Sequence, residues 1–163
     1  MVTLPRPLMT AREETQLTYL AAGRRVIEVG SAIGGSTIAM ALVAAHVVSI
    51  DHHRGDPWTG PLPTLAPFLE AIEAAGLQRK VTILLDDWRT TLTLIDPAWP
   101  HLIFLDAEHS PEAVTLQLVL CQRFRDVRFA VHDISFPGVE QAVTAWALDH
   151  HRPIERVDDL AVL

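Results

Sequence analysis

Acids and histidines fall into short groups along this chain: Asp51-His52-His53, Asp86-Asp87-Trp88, Asp106-Ala107-Glu108-His109 and His132-Asp133. Each group directly follows an apolar run. Carboxylates and imidazoles gathered at one place can hold a divalent cation, move protons or accept hydrogen bonds from a ligand's hydroxyls. A different pattern precedes them. "VIEVGSAIGGSTIAMAL", Val26 to Leu42, sets Glu28 two residues before Gly30, with Gly34 and Gly35 further on. A dinucleotide turn reads G-x-G-x-x-G and offers a helix N-terminus to a pyrophosphate. Here the glycine spacing differs, and the acid at Glu28 would repel a pyrophosphate and suit a ligand with a cationic portion.

These groups act together only if the fold gathers them. The apolar runs Arg25–Gly30, Val47–Asp51, Val81–Leu85, Leu102–Asp106 and Arg128–Asp133 read as strands buried on both faces, as in parallel sheets. Helical stretches lie between them. Thr10 and Glu13 have capping-box spacing at the start of a helix that Gly23 ends. Gly35–Ala45 follows the first strand, and Leu65–Ala75 follows a stretch with four prolines, Pro57, Pro61, Pro63 and Pro67. Ser110-Pro111-Glu112 starts a helix that runs to about Phe124. Val139, Ala142, Val143, Trp146 and Ala147 mark one face of a last helix. The tail reads as two short strands around Asp158-Asp159. Strand–helix alternation predicts a doubly wound α/β fold. In such a sheet ligands bind beyond the carboxyl ends of the strands, where strand order reverses, and every acid group above falls at that edge. Asp51 is placed to accept from ribose hydroxyls. Asp86, Asp87 and Trp88 could bracket an adenine, although Trp88 could equally be a helix-start residue packed on the sheet.

The bulk composition narrows the partners. The 163 residues are 49% hydrophobic, which supplies the core of one domain, and carry a formal net charge of −7. That charge argues against nucleic acid or an anionic membrane surface as the main partner. No apolar run approaches a membrane span, and the first ten residues lack the apolar core of a signal peptide. Cys121, alone, reads as a packed thiol. A soluble cytoplasmic protein is expected.

With these motifs in order, the chain resembles class I S-adenosylmethionine-dependent methyltransferases. "EVGSAIGGST" is similar to their first motif and "VVSIDHH" to their acidic second-strand motif. "IFLDAEHSPEAV" and "FAVHDISFPGVEQAV" resemble segments of small-molecule O-methyltransferases of the macrocin and rhamnosyl type, with the catechol type as a relative. The likeness runs from about Leu17 to Leu148. It implies a Rossmann-like sheet of about seven strands, mostly parallel, with a short C-terminal antiparallel hairpin. It further implies a single domain: an N-terminal helix over 1–24, a cofactor-binding core over 25–150 and a hairpin over 151–163. By similarity Glu28, Gly30, Ser31, Gly34 and Ser36 surround the methionine part of S-adenosylmethionine. Asp51 holds the ribose with His52 at the pocket edge, Asp86, Asp87 and Trp88 bracket the adenine, and Asp106 borders the site.

The catechol type binds Mg²⁺ through an acid after the fourth strand and an Asp-Asn pair after the fifth. By position these are Asp106, His132 and Asp133. His132 departs from that pattern, since imidazole suits Mn²⁺ or Zn²⁺ better than Mg²⁺. Either the metal differs, or His132 faces the substrate, or no metal binds. His109 stands where the catechol type has a lysine that removes the hydroxyl proton, and with an unperturbed pKa of roughly 6.5 it could do so. Methyl transfer to a small-molecule hydroxyl is the expected activity, with Asp106 and His109 as its catalytic pair. Three alternatives stay open: a metal-independent natural-product or sugar methyltransferase, a non-catalytic S-adenosylmethionine-binding protein, and an NAD-dependent oxidoreductase. The acceptor pocket would be roofed by a second subunit of a homodimer, by the proline-rich loop with Trp58, or by nothing.

Overall fold

The computed structural model describes residues 4–56 and 60–163. Trp58, expected as part of a roof, lies outside them. Five strands form the parallel part of the sheet: β1 Arg25–Val29, β2 His46–Ile50, β5 Val81–Leu84, β6 Leu102–Leu105 and β7 Arg128–Val131. A two-residue pair, β3 Gly55–Asp56 and β4 Gly60–Pro61, makes a separate small hairpin. β8 Glu155–Val157 and β9 Leu160–Val162 complete the main sheet, whose order is β5-β2-β1-β6-β7-β9-β8. β9 runs antiparallel to both β7 and β8, and Asp158-Asp159 form the turn between them. The expected Rossmann-like sheet with its C-terminal hairpin is the fold observed.

The helices are α1 Ala11–Ala21, α2 Gly35–Val43, α3 Leu65–Ala74, α4 Trp88–Leu94, α5 Pro111–Cys121 and α6 Pro137–Asp149. Their caps follow from sequence. Thr10 and Glu13 form a reciprocal capping box on α1. Ser110 accepts from the Ala113 amide at the start of α5, with Pro111 in the first turn. The helices α1, α2 and α3 cover one face of the sheet, where Leu17, Leu20, Met40 and Phe68 pack on Val26, Val47 and Phe104. On the other face α4, α5 and α6 bring Leu92, Leu118 and Val143 against Ile27, Val29 and Ile103. Cys121 is fully buried there, and burial pushes its thiol up to about 12, as befits a packing residue.

Strand order reverses between β1 and β6, the two strands on which the chain diverges in opposite directions. The strands approach closely beyond that point. Gly30 has φ +88°, and a Cβ there would stand 2.4 Å from the Asp106 carbonyl oxygen. Only glycine fits, because both the conformation and the space exclude a side chain.

Candidate functional site

A cavity of about 340 Å³ opens at this switch point. Of the expected cofactor residues, Gly30, Ser31, Ser36, Asp51, His52, Asp86, Trp88 and Asp106 line it. Glu28, Gly34 and Asp87 do not line it, each for a physical reason.

Glu28 is 0% exposed. Its carboxyl oxygens accept from Ser36 Oγ and Thr37 Oγ1, both at 2.5 Å, beneath the first turn of α2. Burial pushes it up to about 8, despite those two hydrogen bonds. Held there, the group ties β1 to α2 and stands behind the cavity wall instead of on it. Gly34 is the N-cap of α2 at φ +91°, where a Cβ would stand 3.0 Å from the Phe68 ring. Asp87 caps α4 by accepting from the Arg89 amide at 2.8 Å, and it also pairs with the Arg89 guanidinium at 3.3 Å.

The residues that do line the cavity are held from behind. Asp51 Oδ2 accepts from the amides of Ser31 and Ala32, both at 2.9 Å, and Oδ1 from the His53 amide at 2.6 Å. One carboxylate thus fixes the glycine turn after β1 to the end of β2. His53 packs under the cavity, with Nδ1 2.8 Å from Thr64 Oγ1 and its ring on Phe68. Burial lowers its pKa. Trp88 opens α4, as its helix-start reading anticipated, and lines the cavity as well. Its indole N–H donates to Glu108 at 3.0 Å, and the Arg89 guanidinium lies 4.2 Å from its ring. Glu108 and Arg6 also line the cavity. Neither was expected. Glu108 could have been read from its place beside Asp106, whereas nothing in the sequence around Arg6 announces a site.

A second, more open cavity of about 560 Å³ lies beside the first. It is lined by Glu13, His132, Asp133 and Ser135, together with Asp158 and Asp159 of the hairpin turn. Leu8 borders both cavities. Between them runs a chain of charges. His132 Nδ1 is 3.3 Å from Asp106 Oδ1 and 3.4 Å from Asp133 Oδ1. Asp133 Oδ2 is 2.6 Å from His109 Nε2. His132 Nε2 is 3.8 Å from Glu13 Oε2. Burial alone would lower the His132 pKa, but the hydrogen bonds and charges of Asp106 and Asp133 raise it to about 10. Burial works upward on Asp133, yet its bonds to His109 and His132 outweigh this and hold it well below the usual carboxylate range. On Asp106 burial wins over the His132 contact, and the pKa is raised.

The donor atoms of Asp106, His109 and Asp133 all lie within 4.8 Å of one another, the spacing of a potential cation site. His132 of the expected ligand set is not in this group, although its Nδ1 lies 3.3 Å from Asp106 Oδ1 and 3.4 Å from Asp133 Oδ1. Two carboxylates and an imidazole suit Mn²⁺ or Zn²⁺ better than Mg²⁺.

Among the described residues no helix is long and apolar enough to cross a membrane. Residues 27–134 match a protein-family model described as a methyltransferase domain. No curated protein matches the chain. Several solved structures share the fold. An O-methyltransferase from Bacillus cereus in complex with SAH superposes with a TM-score of 0.68 at 16% identity, over 98% of this chain and 84% of that one. The cofactor-bound protein Rv0187 from MTB gives 0.74 at 20%, over 98% and 82%. The calicheamicin methyltransferase CalS11 gives 0.67 at 15%, over 93% and 76%. At these identities the likeness is one of fold.

Proposed function

The chain belongs to the methyltransferase-domain family, and from that premise we propose that it uses S-adenosylmethionine to methylate a hydroxyl of a small molecule. The observation that carries the reading is the charge of the switch-point cavity. Among the described residues Asp51, Asp86, Asp106 and Glu108 line it against one arginine. Such walls oppose a pyrophosphate and favour a ligand with net positive charge, which counts against NAD. The solved relatives bound to SAH or to a cofactor are consistent with this.

In this reading Gly30, Ser31 and Ser36 take the methionine portion, Asp51 and His52 the ribose, and Asp86 and Trp88 the adenine. Glu28 and Asp87 act one step back, by holding α2 and α4 in place. S-adenosylmethionine supplies a methyl group activated by its sulfonium. The acceptor enters the second cavity, and the wall formed by Asp106, His132 and Asp133 holds its hydroxyl toward the first, which supplies proximity and orientation. The proton passes to the Asp133–His109 pair: Asp133 lines the second cavity, and its Oδ2 is bound to Nε2 of His109, which itself lines neither of the two cavities.

The cluster of Asp106, His109 and Asp133 also fits a divalent cation. Bound there, a cation supplies Lewis acidity that lowers the pKa of an oxygen it contacts, and His109 is then a ligand instead of the base. Production of S-adenosylhomocysteine from S-adenosylmethionine across a panel of hydroxylated small molecules tests the proposal, run with Mn²⁺, Mg²⁺ or EDTA. Turnover with a hydroxyl acceptor supports it. Turnover only with amine or carbon acceptors would refute the O-methyl assignment.

A further inference from the structure

The first cavity has an unusual wall. Residues 4–9 precede α1 without regular structure, and Arg6, Pro7 and Leu8 from this strap line the cavity. The strap is seated on α2. A Cβ at Gly35 would stand 2.5 Å from the Arg6 carbonyl oxygen and 2.6 Å from the Pro7 nitrogen. Gly35, the first residue of α2, is therefore the seat of the strap, and a side chain there would lift it. The far end of the strap is fastened to the C-terminal hairpin. Thr10 Oγ1 donates to Asp158 at 2.8 Å, Arg12 pairs with Asp158 at 2.7 Å, and Glu13 accepts from the Asp159 amide. Both ends being held, the strap is a built part of the cavity wall.

Among the described residues Arg6 is the one Lys or Arg side chain on that wall. Its guanidinium is exposed and makes no hydrogen bond or ion pair among the described residues. The acids around it have other work: Asp51 holds three amides and Glu108 holds Trp88 and Arg89. A ligand carrying an ammonium and a sulfonium finds carboxylates on this wall, but its single carboxylate finds one complementary side chain.

Resting on the functional reading above, we propose that Arg6 clamps the α-carboxylate of the methyl donor, so that the strap reads the amino-acid end of the ligand. Arginine suits the task, since its planar fork meets a carboxylate with two parallel hydrogen bonds. The strap then serves as both wall and selectivity element, distinguishing adenosyl ligands with the carboxylate from those without.

The test is isothermal titration calorimetry of the full chain with S-adenosylmethionine and with its decarboxylated analogue, which keeps the sulfonium and the amine. Wild type is expected to prefer the carboxylated compound by about tenfold or more. Arg6→Gln should bind the two within about twofold of each other, with its affinity for the analogue unchanged, and Arg6→Lys should restore part of the preference. Because Arg6 is exposed, these variants should fold as wild type does, and the melting temperature checks that. Arg6→Gln retaining the full preference, or losing affinity equally for both compounds, would overturn the clamp while leaving the functional reading intact. Wild type binding neither compound would overturn both.

Discussion

Replacing Glu28 with glutamine should remove a large pH dependence from the stability of this protein. Glu28 is fully buried, and its pKa rises from 4.5 to about 8 on folding. The folded state therefore binds the proton more tightly than the unfolded state. Below pH 4.5 the carboxyl is neutral in both states and costs nothing. As pH rises through the window from 4.5 to 8, the unfolded state gains from ionising while the folded state does not, and stability falls. Between pH 5 and pH 8 the loss is about 3–4 kcal/mol, taking about 1.4 kcal/mol per unit of pKa difference. Glutamine keeps the size and one acceptor oxygen, and its amide can donate to the second hydroxyl. Urea unfolding of both proteins at pH 5 and pH 8 isolates the effect, because the other titrating groups are common to the two. Wild type should lose about 3–4 kcal/mol more than Glu28→Gln over that range. Parallel stabilities would refute the neutral, structural role of this acid. Affinity for S-adenosylmethionine should change by less than about threefold in the variant, since Glu28 does not line the cavity.

Other substitutions separate the parts of the site. Gly30→Ala must adopt a left-handed conformation and meets the Asp106 backbone, so chemical unfolding should show a loss of about 2–5 kcal/mol. Asp51→Asn cannot satisfy all three amides that the carboxylate now holds; it should cost about 1–3 kcal/mol of stability and weaken S-adenosylhomocysteine binding at least about tenfold by calorimetry. His109→Ala should lower the methyl-transfer rate by about 10²–10⁴ with S-adenosylhomocysteine affinity kept. If EDTA leaves wild-type turnover unchanged, His109 acts as base and not as cation ligand.

Much of the fold was legible because β1, β2, β6 and β7 are buried on both faces and read as apolar runs. The acids at their ends marked the edge where the cavity opens. What eluded the sequence reading was the direction in which individual side chains point. Alternation along a strand decides where Glu28 and His132 point. In β1, Glu28 shares a face with Val26, whose partners are α1 and α2, so its carboxyl goes under α2 to Ser36 and Thr37. Beyond β7, His132 shares a face with Ala130 and meets Glu13 of α1, while Asp133 turns to His109. Arg6 and Glu108 were missed for another reason. Arg6 comes from a strap with no periodic signal, and Glu108, although it stands beside Asp106 in sequence, is tied to the cavity wall through Trp88 of α4. The strand-end residues gather at one edge of the sheet, but which of them line the cavity and which brace the frame depends on packing between elements far apart in the chain.

What the switch-point cavity binds is the most direct test of the proposed activity. Thermal-shift titration of the wild-type protein with S-adenosylmethionine, S-adenosylhomocysteine and NAD measures this in one experiment. Both adenosyl compounds should raise the melting temperature in a saturable way, and NAD should leave it unchanged. A shift with NAD and none with either adenosyl compound would contradict the account.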